Sequence, residues 1–86
     1  MPSLSSFYGI VIRVYYDDHP PPHFHAYYGD DEILVAIDSL EILQGSFPKR
    51  ALAMTIEWAI EHRDELKENW RLAEEHRPLL AIGALR

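Results

Sequence analysis

Hydrophobic and polar residues alternate along the first half of the chain, a pattern that predicts β-strands. Residues 7–16, FYGIVIRVYY, are rich in β-branched and aromatic side chains and predict the first strand. Successive side chains of a strand point to opposite faces, so this strand has a core face and an outer face. The core face carries Ile10, Ile12, Val14 and Tyr16, and the outer face carries Val11, Arg13 and Tyr15.

A second strand is predicted over residues 23–28, HFHAYY. Residues 17–22 separate it from the first strand, because their three consecutive prolines cannot donate the hydrogen bonds of a sheet. The alternation directs Phe24, Ala26 and Tyr28 to the core and His23, His25 and Tyr27 to the outer face.

Two further strands are predicted over residues 33–38 and 40–44, with a hairpin turn at Asp38 and Ser39. Residues 29–31, GDD, form the turn before them. Short consecutive strands pair most simply as a meander. The first half of the chain therefore predicts a four-stranded, mostly antiparallel sheet.

The pattern changes to helical spacing after Gly45. Residues 48–76 contain no glycine, and no proline beyond Pro48, and are mostly strong helix formers. Polar residues 61–65, with Asp64 as a candidate N-cap, predict a break near Arg63 and thus two helices, with one kinked helix as the alternative. The apolar stripe comprises Leu52, Ile56, Ala59 or Ile60, Leu66, Trp70 and Ala73.

These elements predict one α+β domain over residues 1–86. The sheet occupies residues 7–45 and the two C-terminal helices, within residues 48–76, pack on one of its faces. Trp58 and Trp70 are expected in or near the core. The apolar tail, residues 79–86, is expected to pack on the sheet or on a neighbouring chain.

Composition and charge argue against several kinds of site and partner. The 86 residues include no cysteine, which excludes disulfides and thiolate metal sites and favours a reducing compartment. The start, MPSLSSFYG, does not resemble a signal peptide, and no apolar run is long enough to cross a bilayer, so we expect a cytoplasmic protein without a membrane partner. The net charge of −6 disfavours RNA as a general partner.

The segment DDHPPPHFHAYYG, residues 17–29, contains the candidate chemistry. His23 and His25 are two positions apart, so on a strand their imidazoles project from the same face. One hypothesis is a metal-independent ribonuclease without a cofactor, in which either histidine acts as base or acid, Arg13 binds phosphate and Tyr15 supplies a hydroxyl.

Two alternatives are open at this point. In the first, the histidines are half-exposed strand residues without chemistry. In the second, a transition metal is held by histidine and carboxylate, as in a metal-dependent hydrolase. The candidate ligands are Asp17, Asp18, His19, His23, His25 and His62.

The chain resembles a family of small bacterial and archaeal proteins known as domain of unknown function 4160. The resemblance covers nearly the whole sequence and rests on the segments FYGIVIRVYYDDHPPPHFHAYYG and PKRALAMTIEWAIEHRDELKENW. The matching positions are Asp17, Asp18, Pro22, His23, Phe24, His25, Ala26, Trp58, His62, Asn69 and Trp70. One departure is the third proline of HPPPHFH, where the family pattern has two.

The resemblance implies a component of a two-gene module that is similar to toxin–antitoxin pairs. It implies a small protein partner encoded nearby, which the chain would bind through its apolar tail or an exposed sheet edge. A toxin-like protein that cleaves RNA is the leading hypothesis. A non-enzymatic interaction or antitoxin-like module is the alternative from another class, and a homo-oligomer is compatible with either.

Overall fold

The computed structural model describes residues 3–86, which form an antiparallel sheet followed by two helices. The strands are β1 (Ser5–Phe7), β2 (Ile10–Arg13), β3 (His23–Tyr28), β4 (Asp31–Ala36) and β5 (Ile42–Gly45). They lie in the order β1-β2-β3-β4-β5, so each strand pairs with its neighbours in sequence. The predicted α+β class and the meander are confirmed, with one strand more than the four expected.

The additional strand comes from a turn inside the first predicted strand. Tyr8 and Gly9 have positive φ values of 49° and 83°, and Phe7 pairs with Ile10 across them. Positive φ at both central residues is the geometry of a two-residue type I′ hairpin. The single strand over residues 7–16 was therefore wrong, although its core face was right: Ile10, Ile12 and Val14 are fully buried.

The other strand boundaries move by a few residues. β4 begins at Asp31, two positions before the predicted start, and thereby includes Glu32. β5 begins at Ile42, because Leu40 has a left-handed φ of 61° and belongs to the turn. All four residues of β5 are exposed, and one edge of this strand has no partner among residues 3–86.

The prediction of two helices is confirmed. They are α1 (Lys49–Glu61) and α2 (Arg63–Glu74). His62, not Asp64, is the N-cap of α2, and Asp64 lies in the first helical turn, where its charge favours the helix dipole. Neither helix in the described part of the chain is long and apolar enough to span a membrane.

The core lies between the helices and one face of the sheet. Trp58 is fully buried and contacts Phe7 and Phe24, at ring-centroid distances of 5.4 and 5.9 Å. Of the two alternatives for the helical stripe, Ala59 is buried, whereas Ile60 is 60% exposed. The predicted burial of both tryptophans is confirmed, since Trp70 is only 6% exposed.

The apolar tail packs against its own chain. The backbone N–H of Ile82 donates to the carbonyl of Leu4 at 2.8 Å, and the Trp58 indole N–H donates to the carbonyl of Gly83 at 2.8 Å. The Ile82 side chain joins the core, whereas Leu80 remains 57% exposed.

Asn69 on α2 fixes the start of this tail. Its side-chain oxygen accepts the Leu80 N–H at 2.7 Å, and its amide nitrogen donates to the Leu80 carbonyl at 3.0 Å and to the Glu65 carbonyl at 3.1 Å. The side chain is 1% exposed, so these bonds satisfy a polar group that burial would otherwise destabilise. The next residue, Trp70, reaches the candidate functional site described below.

Candidate functional site

Asp18, His23 and His25 converge where the loop of residues 14–22 meets the start of β3. The Nε2 atoms of His23 and His25 lie 3.0 and 2.9 Å from the same oxygen, Oδ2 of Asp18. The imidazole centroids are 5.2 Å apart, because positions 23 and 25 of β3 share a face. Each residue offers one ligand atom, and these atoms lie within 4.8 Å of one another.

The loop before β3 orients Asp18. The preceding residue, Asp17, has a φ of 60°, and the backbone N–H of His19 donates to Oδ1 of Asp18 at 3.1 Å. Burial acts to raise the pKa of the Asp18 carboxyl. The hydrogen bonds from His25 and from the His19 backbone, with the charge of the two imidazoles, outweigh burial, so the pKa lies below its ordinary value.

The second nitrogen of each imidazole is also occupied. Nδ1 of His23 donates to the carbonyl of Pro21 at 2.8 Å, and Nδ1 of His25 donates to Oε2 of Glu32 at 2.9 Å. A carbonyl and an ionised carboxylate can only accept, so both Nδ1 atoms carry the proton. In the neutral rings, both Nε2 lone pairs then face Asp18.

Three acceptor atoms therefore meet at one point when the rings are neutral. A proton on one of the three atoms, or a cation among them, would relieve the repulsion between them. Histidines that bind metals commonly donate their other ring N–H to a carbonyl or carboxylate, which fixes the tautomer. The partners of His23 and His25 match that arrangement.

Helix α2 covers one side of the cluster. Trp70 packs on His23 with ring centroids 5.2 Å apart, and His23 is only 5% exposed. The interpretation of both histidines as half-exposed strand residues was thus wrong for His23, because the docked helix covers it. A cavity of about 240 Å³ reaches Asp18 between Tyr15, Trp70 and Glu74, so the carboxylate of the cluster is accessible from that side.

The other candidate ligands lie away from the cluster. Asp17 is exposed and its carboxylate lies 3.2 Å from Nε2 of His76. His19 is exposed, and only its backbone contributes, through the bond to Asp18. His62 lies beside Trp58, with ring centroids 5.3 Å apart, and its Nδ1 atom bonds to Glu65.

The two remaining predicted residues lie beside His25. Arg13 is its register partner on β2, and the Arg13 guanidinium lies 5.9 Å from the centroid of the Tyr27 ring. The Tyr15 ring meets the His25 ring edge-on at 4.6 Å, and its hydroxyl lies 2.6 Å from the Tyr27 hydroxyl. Both residues are therefore neighbours of the cluster without bonding to its nitrogen atoms.

Sequence reasoning missed Glu32 and the position of Trp70 at the site. Glu32 lies opposite Tyr27 on the same sheet face as His25. This position can be predicted only if β4 begins at Asp31, two residues before the start expected from the sequence. Trp70 was assigned to the core, and nothing in the helical spacing indicates that it packs on His23. The one indication in the sequence was that Trp70 belongs to the same family pattern as His23 and His25.

The chain was compared with known proteins. A family model described as "Domain of unknown function (DUF4160)" matches residues 9–71. This range contains Asp18, His23, His25, Glu32 and Trp70, so the whole cluster and its supporting groups lie within it. Comparisons with curated proteins and with solved structures gave no significant match. Because the family model covers most of the sequence, the chain belongs to the DUF4160 family.

Proposed function

We propose that the chain is a metal-dependent hydrolase in which Asp18, His23 and His25 hold one divalent transition metal ion. The observation that carries this proposal is the meeting of two Nε2 atoms and one carboxylate oxygen while both Nδ1 atoms already donate elsewhere. Nitrogen and oxygen ligands of this kind suit zinc. Three protein ligands leave the fourth tetrahedral position for water, which is the pattern of catalytic zinc sites.

A metal ion at this position would supply an activated water near neutral pH. The protein contributes the remaining parts of the site. Glu32 and the Pro21 carbonyl hold the rings in the ligating tautomer, and Trp70 shields one side from solvent. The cavity beside Asp18 provides the approach for a substrate.

The geometry gives less support to the metal-free, toxin-like ribonuclease proposed from the sequence. Both Nδ1 atoms already donate to protein acceptors and both Nε2 atoms face the Asp18 carboxylate, so a histidine that acts as base or acid would have to turn one ring nitrogen away from its present neighbour. Two acidic residues, Asp17 and Glu74, also line the cavity beside Asp18, and they repel a phosphate backbone.

Zinc titration tests the proposal. Calorimetry on chelator-treated protein should give one zinc per chain, and free zinc at 100 times its Kd should raise the free energy of unfolding by about 2.7 kcal/mol. His25→Ala and Asp18→Ala should abolish both effects, whereas His62→Ala, which changes a histidine outside the cluster, should retain them. If His25→Ala and Asp18→Ala both still bind zinc and are still stabilised by it, the proposed site is contradicted.

The hydrolytic step has its own test. The zinc-loaded protein should hydrolyse p-nitrophenyl acetate, lose this activity with a chelator and regain it with added zinc. His25→Ala should be inactive at the same zinc concentration. If zinc binds at one per chain but neither the acetate ester nor p-nitrophenyl phosphate is hydrolysed, the metal site is supported and the hydrolase activity is contradicted.

A second candidate function, binding of a partner protein, is favoured by β5. The strand presents an open edge, and its Ile42 and Leu43 side chains are 42% and 43% exposed. Unpaired edges of this kind accept a strand from another chain. The tail is the weaker alternative, because Asn69 and Leu4 hold it against its own chain.

Co-expression with a small protein encoded nearby, the partner that the family resemblance implies, distinguishes these two surfaces. Ile42→Lys should abolish co-purification of the two proteins, whereas Leu80→Lys, which adds the same charge to the exposed part of the tail, should preserve it. The opposite result would assign the partner to the tail and contradict the role of β5.

A further inference from the structure

We infer that Arg13, Tyr15 and Tyr27 form an anion subsite that binds an oxyanion group, a phosphate or a carboxylate, of the substrate. The assignment of this anion to a substrate rests on the proposed function, whereas the capacity to bind an anion does not. The three side chains line an open cavity of about 320 Å³ on the outer face of β2 and β3, together with Val11.

Arg13 is the charged residue of this cavity, in a chain whose net charge is −6. Lys67, Arg71 and Arg77 each lie within ion-pair distance of a carboxylate, whereas Arg13, like Arg50 and Arg63, has no such partner among residues 3–86. Its guanidinium lies over the ring of Tyr27, a contact that positions the charge and uses none of its N–H donors. Two N–H groups of one guanidinium can donate to two oxygen atoms of the same phosphate or carboxylate.

The hydroxyl groups of Tyr15 and Tyr27 add a further hydrogen-bond donor to the subsite. Their hydroxyl oxygens are 2.6 Å apart, so one hydroxyl proton lies between them and the other is available to a ligand.

The subsite is next to the proposed metal position. Arg13 lies directly opposite His25 in the β2–β3 register, and side chains in such pairs have Cβ atoms about 4.5–5.5 Å apart. Tyr15 contacts the His25 ring and lines both cavities, the one beside Asp18 and the one beside Arg13. Because Asp17 and Glu74 line the first cavity, an anionic group is expected on the Arg13 side.

A titration with small anions tests the subsite without a metal. Inorganic phosphate and, separately, acetate are added to chelator-treated protein at constant ionic strength, and the NMR signals of Arg13 Nε–H and of the Val11 and Tyr27 amides are followed. Both anions should shift these signals. Arg13→Gln should weaken the apparent binding, read from the two amides, by about tenfold or more, whereas Arg50→Gln should leave it unchanged.

Zinc-loaded protein then links the subsite to catalysis. Arg13→Gln should raise the KM for p-nitrophenyl phosphate by about tenfold, whereas Arg50→Gln should leave this KM unchanged. Equal anion binding in Arg13→Gln and Arg50→Gln would overturn the subsite even if zinc binds. Loss of anion binding in Arg13→Gln, in a protein that binds no zinc, would uphold the subsite and refute the proposed function.

Discussion

Glu32→Ala is expected to weaken zinc binding at the Asp18–His23–His25 cluster by about 10- to 100-fold, the usual effect of removing a group that orients a metal ligand. Glu32 accepts the Nδ1 proton of His25 at 2.9 Å and thereby directs Nε2 toward the metal position. Without it, the His25 ring can rotate or exchange tautomers, and its basicity falls. Glu32→Gln keeps an acceptor oxygen and should recover part of the affinity.

Competition with a chromophoric chelator measures the zinc Kd of each variant. Asp31→Ala is the matched control, since Asp31 precedes Glu32 in β4, is exposed and carries the same charge. Its Kd should equal that of the unmodified chain. Equal weakening by the two alanine variants would show a general effect of charge and would exclude the orienting role of Glu32.

Gly45→Ala is expected to lower the free energy of unfolding by about 2–5 kcal/mol, the sum of left-handed strain and overpacking. Gly45 ends β5 with a φ of 86°, and a Cβ atom there would lie 2.0 Å from the backbone carbonyl oxygen of Glu32. Backbone atoms cannot move aside as a flexible side chain does. The substitution should therefore separate β5 from β4 at this point.

Gly29→Ala separates the left-handed strain from the overpacking, because only the strain applies at Gly29. Gly29 also has a positive φ, 58°, but a Cβ atom there would contact nothing within 4 Å. Its substitution should cost only the conformational strain, about 1–2 kcal/mol. Urea denaturation of both variants gives the comparison, and equal losses would show that the close approach to Glu32 has no energetic effect.

The sequence was most informative where one strand face had to be buried. The alternation of residues 23–28 predicted that His23 and His25 share a face, and the structure brings their rings together at Asp18. The two helices were equally predictable, since the polar residues 61–65 interrupt a continuous apolar stripe. Both predictions depend on local periodicity, which is fixed by backbone geometry.

Features that depend on tertiary placement could not be predicted in this way. Choosing Asp18 over Asp17 as the cluster carboxylate requires the loop conformation, in which Asp17 turns outward to His76. The burial of His23 requires the docked position of Trp70, and the bond to Glu32 requires the register of β4. The hairpin at Tyr8 was hidden because a tyrosine at positive φ is uncommon.

The bonds that join the tail to Leu4 and Ser5, near the start of the chain, also bear on the order of folding. Each strand pairs with the next along the chain, so the sheet grows through short loops with a small entropic cost. The Ser5 hydroxyl, by contrast, donates to the carbonyl of Gly83 at 3.3 Å, and these two residues are 78 positions apart. Closing that long loop is favourable only after the helices have docked, so the tail should join last and be the first segment to open in the native state.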